Sequence, residues 1–304
     1  MKKDFIAITD LSRDEIMRTF EITQVLKAEV KSGVEHHRLT GQTLAMIFAK
    51  PSARTRVSFE TGMYQLGGHA LYLSPNDIGI GKREAVKDIA QVLSRYNSGI
   101  MARLFEHKHM EELAEFATVP VINGLTDYNH PCQVMADIFT VLEHRGHLED
   151  LKVAFVGDGN NVANSWINLA ARLPMNFVLA SPSGYEPSPV AMKNAQDAGI
   201  STIELVRNPK DAVRDADVIY TDVWASMGQE EEKAQRMKDF MPFQVNADLM
   251  SNAKDDCYVM HCLPAHRGDE ITDEVLDGSH SIVFDEAENR MHVQKAIMVQ
   301  LMEK

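Results

Sequence analysis

From Leu44 onward, short apolar runs alternate with longer stretches whose apolar residues recur every three or four positions. The runs 44–48, 70–73, 100–102 and 119–122 have the length and continuity of buried strands. The stretches after Thr55, over 84–96 and over 110–116 have helical period. A helix over 134–144 leads into a second series, with strands expected at 153–156, 177–180, 203–205, 218–221, 258–260 and 281–284. Helices are expected between them near 164–172, 189–198 and 211–214. Ahead of both series, Ser12 and Glu15 form a capping box that opens a helix carrying Ile16, Phe20, Ile22, Val25 and Leu26. At the far end, 286–302 reads as a helix through Ala287, Met291, Val293, Ile297, Met298 and Leu301. Strand–helix alternation of this kind predicts the α/β class, as two open parallel-sheet domains joined by interdomain helices. The boundaries expected are 1–137, completed by the terminal helix 286–304, and 138–285. Ligands then belong at the carboxyl ends of the strands and in the cleft between the domains.

Composition narrows the class of partner. The chain has 304 residues, 44% hydrophobic and 25% charged, which suits a soluble two-domain protein. Its net charge of −13 excludes a general nucleic-acid or anionic-membrane binder, so an anionic ligand would need a local basic pocket. Three cysteines, Cys132, Cys257 and Cys262, form no disulfide framework and suit a reducing compartment. The charged start, Met1-Lys2-Lys3-Asp4, has no apolar signal region, and a cytoplasmic location is expected.

The densest chemistry lies in Lys50-Pro51-Ser52-Ala53-Arg54-Thr55-Arg56, where a strand turns into a helix. A helix start offers unpaired N–H groups and the positive end of the dipole, and arginine forks match phosphate oxygens in pairs. Ser52 alone could be an ordinary N-cap with solvated arginines beside it. Further on, His130-Pro131-Cys132-Gln133 follows an apolar run. There His130 either caps the next helix or donates to a carbonyl oxygen. The turn Gly157-Asp158-Gly159-Asn160-Asn161-Val162 resembles a dinucleotide fingerprint, but Val162 stands at the third glycine and no ribose acid follows. It reads as a tight turn that presents Asn160 and Asn161.

Asp222 opens the loop Asp222-Val223-Trp224-Ala225-Ser226-Met227-Gly228, and either holds an ammonium group or is solvated. Gly228 is the expected hinge of that loop. The run Glu230-Glu231-Glu232 reads as an exposed helix start. His261-Cys262-Leu263-Pro264-Ala265-His266 carries two histidines and a thiol. Zinc needs three or four ligands and no second pair sits at ligand spacing, so Cys262 reads either as a thiol at a ligand-facing strand end or as a buried one.

In sequence order these motifs closely resemble the aspartate/ornithine transcarbamylase family, over the whole chain. The matching segments are Ser52–Arg56, His130–Gln133, Asp222 with Ser226-Met227-Gly228, His261–Pro264 and Ala287-Glu288-Asn289-Arg290-Met291-His292. The resemblance implies transfer of the carbamoyl group of carbamoyl phosphate to the δ-amine of L-ornithine, giving citrulline and phosphate in arginine metabolism. A transcarbamylase for putrescine or acetylornithine is the alternative. It implies that Ser52, Ala53 (through its backbone), Arg54 and Thr55 bind phosphate. Arg103, His130, Gln133 and Arg290 would hold the carbamoyl group, and Asn161, Asp222, Ser226 and Met227 the ornithine. Cys262 and Leu263 would lie beside the reacting amine. The catalytic set implied is Arg54, Arg103, His130 and Cys262, with no metal, no cofactor and a homotrimer or multiple of trimers. Two positions depart from the pattern. Ala53 replaces a threonine, and Gly79 stands where relatives carry a glutamine that reaches the neighbouring subunit's carbamoyl phosphate; Lys82 or Arg83 is the expected substitute.

Overall fold

The computed structural model describes residues 3–81, 83–225 and 230–303. Its contacts divide the chain into two compact units, Met1–Ala136 with Glu288–Lys304, and Asp137–Ala287.

The first unit is built on β1 (Thr43–Phe48), β2 (His69–Leu73), β3 (Gly99–Arg103) and β4 (Val121–Leu125), all parallel, in the order β2-β1-β3-β4. The central β1 and β3 are almost wholly buried, as unbroken apolar runs require, whereas the edge strand β2 is half exposed. Helices Val86–Tyr96 and His107–Phe116 close one face through Val86, Ile89, Met110 and Leu113, packed on Ala45, Ile47, Ile100 and Val121. The capping box expected at Ser12 is present and opens the helix Arg13–Lys31, with Ile16, Phe20 and Leu26 buried.

The second unit holds β5 (Lys152–Val156), β6 (Asn176–Ala180), β7 (Thr202–Val206), β8 (Val218–Thr221) and β9 (Tyr258–His261), parallel and ordered β7-β6-β5-β8-β9. Its core gathers large rings, with Phe155 stacked on Tyr220 and Trp166 on Phe177. The expected strand at 281–284 is a correction. Ser281 makes a single bridge to Val259, and the helix Val283–Met302 starts two residues later with Asp285 and Glu286 in its first turn. Acidic side chains at a helix start favour the dipole over continued pairing. The triple-glutamate run forms a 3-10 turn, Glu230–Glu232, ahead of the helix Lys233–Phe240.

In each sheet the strand order reverses about one strand pair. These are β1 and β3 in the first unit and β5 and β8 in the second. The connections leave such a pair in opposite directions, which opens a crevice at its carboxyl end.

Candidate active site

In the first unit that crevice receives the residues after β1 and at the end of β3. Ser52 caps the helix Ala53–Gln65, its hydroxyl accepting from the Thr55 N–H at 3.3 Å. The cap satisfies the Thr55 N–H, while the N–H groups of the first helical residues have no partner within the helix. Thr55 is fully buried, and its hydroxyl collects two guanidiniums. Arg290 donates to it at 2.5 Å and Arg103 at 3.4 Å. Arg290 also donates to the Gln133 side-chain carbonyl at 3.1 Å, so residues 157 and 235 positions away in sequence meet it there. Two buried guanidiniums that share one neutral oxygen create a strongly positive site for an anion.

His130 precedes the helix Pro131–Arg145, and its carbonyl accepts from the Gln133 N–H at 3.2 Å. The capping reading of His130 is met by its backbone carbonyl. Burial first, then Arg290 and Arg103, pushes its pKa well below the usual histidine value. The ring is neutral at pH 7 and offers one N–H. Lys50, at the start of the same turn, lies 4.4 Å from the Phe105 ring centroid. Burial and then Arg103 lower its pKa. Of the two arginines in the helix start, Arg56 is committed to Glu60 at 2.9 Å and to the Tyr72 ring at 4.0 Å. Arg54 is exposed and makes no hydrogen bond or ion pair among the described residues.

The second crevice holds Asp222, which is 7% exposed rather than solvated. Three donors fix it: the Val223 N–H at 2.8 Å, the Asn160 amide at 2.8 Å and the Cys262 thiol at 3.2 Å. Asn160 also caps the helix Asn161–Ala170 through the Val162 and Ala163 N–H groups, so its side chain is a strut rather than a presented ligand. Asn161 is the first residue of that helix and half buried. Gly159 is obligatory, since a Cβ there would lie 2.4 Å from the Pro187 nitrogen.

Cys262 follows β9. Burial first, then Asp222, drives its pKa well above the ordinary thiol value, so it is an S–H donor. Leu263 has a left-handed φ of 56°, and its N–H donates to His261 Nδ1 at 2.9 Å. That contact makes Nδ1 the acceptor, so Nε2 carries the hydrogen and donates to Glu270 at 3.0 Å. His261 is thus fully engaged, and a zinc set of His261 with Cys262 is closed to it. Sequence reading passed over this His261–Glu270 pair, because Glu270 belongs to no motif. Ser226, Met227, Gly228 (the expected hinge) and Lys82 lie outside the described residues.

Gly79 ends the short helix Pro75–Ile78 with φ +51°, and the Arg83 N–H donates back to its carbonyl at 2.8 Å. A Cβ at Gly79 would sit 2.9 Å from the Arg83 Cβ. The turn is therefore built for glycine, and a glutamine side chain at position 79 would require it to open.

Each unit thus carries polar chemistry at the carboxyl ends of its strands, a hydroxyl-and-guanidinium cluster in the first and an anchored carboxylate in the second. Residues 3–143 match the aspartate/ornithine carbamoyltransferase carbamoyl-P binding domain, and residues 149–301 the Asp/Orn binding domain of the same family. The chain belongs to the aspartate/ornithine carbamoyltransferase family. It is 55% identical over 303 residues to the chloroplastic ornithine carbamoyltransferase of Pisum sativum, covering 99% of this chain and 81% of that protein. It is 53% identical to the ornithine carbamoyltransferase of Thermococcus kodakarensis, covering 99% and 96%. The solved ornithine carbamoyltransferase of Pyrococcus furiosus superposes with a TM-score of 0.95 at 51% identity, covering 99% and 97%.

Proposed function

We infer that the protein transfers the carbamoyl group of carbamoyl phosphate to the δ-amine of L-ornithine, yielding L-citrulline and phosphate. The observation that carries this reading is the convergence of Arg103 and Arg290 on Thr55, with Gln133 held by Arg290, beside a capped helix start. Residues 1–137 with 286–304 bind carbamoyl phosphate, and 138–285 bind ornithine.

Ser52, Arg54, Thr55 and the Ala53 N–H take the phosphate. Arg103, His130, Gln133 and Arg290 take the carbamoyl group. Asn161, Asp222, Ser226, Met227 and Leu263 take ornithine, with Cys262 beside the amine. The δ-amine must be neutral to attack, and from a pKa of about 10.4 this costs about 4–5 kcal/mol at pH 7. A carboxylate beside that amine would raise the cost, so Asp222 holds the α-amino end. The amine nitrogen bonds to the carbamoyl carbon, the bond from that carbon to the phosphate oxygen breaks, and the amine releases a proton. Negative charge grows on the carbamoyl oxygen, where the neutral His130 and the guanidinium of Arg103 donate. One such donor is worth about 3–4 kcal/mol of barrier.

The enzyme works in the cytoplasm as a homotrimer or a multiple of trimers, without nucleic acid, membrane, metal or cofactor in the reaction. One archaeal relative is an anabolic ornithine carbamoyltransferase, which supports a biosynthetic direction. No helix of the described residues is long and apolar enough to cross a membrane. A citrulline-formation assay with ornithine, run beside aspartate, putrescine and acetylornithine, tests the reaction. Turnover with ornithine alone is expected, and turnover with another amine instead overturns the assignments of Asp222 and Asn161. Light scattering tests the assembly, and a monomer at assay concentration overturns the trimer.

A further inference from the structure

We propose that His266, Asp269 and Glu270 form a binding site for one divalent transition-metal ion of the zinc class, apart from the residues assigned to substrate. One ligand atom from each of the three lies within 4.8 Å of the other two. Glu270 is fully buried, and its Oε2 has no hydrogen-bond partner among the described residues. Its Oε1 is held from two sides, by His261 Nε2 at 3.0 Å and by the His266 backbone N–H at 2.6 Å. Those bonds fix the carboxylate plane and turn Oε2 toward the His266 ring, whose Nδ1 is 3.9 Å away. A separation of 3.9 Å is too long for a hydrogen bond, so a protonated His266 does not satisfy this oxygen as it stands.

A metal ion does fit. Ligand bonds of about 2.1 Å in tetrahedral geometry set donor atoms about 3.4 Å apart, a closure within the reach of a half-exposed histidine. The Asp269 side chain makes no hydrogen bond or ion pair among the described residues and is free to complete the set. Charge favours the same answer. Two carboxylates meet here, while the adjacent cation, Arg267, is committed to Asp273 and Asp277. One imidazole and two carboxylates suit zinc, cobalt or nickel better than magnesium or calcium, which prefer oxygen alone. The hydrogen bond from His261 supplies the outer support that metal-bound carboxylates commonly have.

The test titrates the untagged, reduced, chelator-stripped full chain with Co2+ in the absence of air, following visible absorption and equilibrium dialysis. One Co2+ per chain is expected, with weak visible bands and no thiolate charge-transfer band. The spectrum should persist in Cys262→Ser. Affinity should fall about tenfold or more in both His266→Ala and Asp269→Asn, with circular dichroism unchanged because neither side chain is core. Absence of Co2+ uptake overturns the site, as does affinity unchanged by those two substitutions. A thiolate band that disappears in Cys262→Ser would instead place the ion at Asp222 and Cys262. None of these outcomes depends on carbamoyl transfer, so the site and the reaction fail separately.

Discussion

Cys262 keeps its proton across the neutral range, because burial and the Asp222 carboxylate both oppose a thiolate. The thiol is therefore a donor to Asp222, and a hydroxyl can make the same bond. Cys262→Ser should retain citrulline formation to within about tenfold. Iodoacetamide should modify the thiol far more slowly at pH 8 than it modifies a free cysteine. Rapid alkylation, or loss of activity as deep as that of a missing nucleophile, would contradict this role. Arg54 is the opposite case, an exposed guanidinium with no partner to lose among the described residues. Arg54→Gly should lower kcat/KM for carbamoyl phosphate by two to three orders of magnitude, about 3–4 kcal/mol of transition-state stabilisation. The melting temperature should change little. A variant with near-normal turnover removes Arg54 from the site.

At the scale of elements, the helix Lys233–Phe240 joins the residues after Asp222 to the turn after β5 through one side chain. Arg236 donates to Asp158 at 2.7 Å, to the Trp224 carbonyl at 3.0 Å and to Glu232 at 3.0 Å. It therefore ties both Trp224 and Glu232 to the turn after β5. Arg236→Gln should lower stability by about 3 kcal/mol, because Asp158 is left buried without its cation. It should also raise KM for ornithine while leaving KM for carbamoyl phosphate unchanged. Equal effects on both constants would make Arg236 a purely structural residue. Nothing in the sequence marks this pair, 78 positions apart. What was legible was local. Apolar runs located β1 to β9, and the small and polar residues after them located both crevices. The failures were local too. At 281–284 an apolar run with β-branched residues outweighed the acidic pair behind it, although Asp285 and Glu286 decide for a helix. The short helices Pro75–Ile78, Ala247–Met250 and Asp273–Leu276 bury too few residues to leave a period. Contacts such as Arg290 with Thr55 are set by tertiary packing, which no spacing in the chain encodes.

Over the molecule as a whole, a net charge of −13 is borne while several carboxyl groups are taken out of water. Glu286 is the extreme case. It is fully buried, accepts from the Tyr220 hydroxyl at 3.3 Å and from the His261 N–H at 3.0 Å, and faces Asp137. Burial first, then Asp137, raises its pKa well above the usual carboxylate range, so the folded protein holds a proton on this pair. In the unfolded chain a glutamate ionises near pH 4.3. Between that pH and the raised folded value the native state binds a proton that the unfolded state has released. Stability must therefore fall as pH rises through the window, by up to about 1.4 kcal/mol per pH unit for one proton. The residue is not free to ionise in place, because the carboxylate would face Asp137 across a dry core. Glu286→Gln keeps an N–H donor toward Asp137 and removes the titration. Urea melts from pH 5 to pH 8 should show wild-type stability declining relative to the variant as pH rises. The two curves should converge toward the acid end, where glutamate is protonated in both states. Parallel curves across that range would mean that Glu286 is ionised in the folded protein and that Asp137 carries the proton alone.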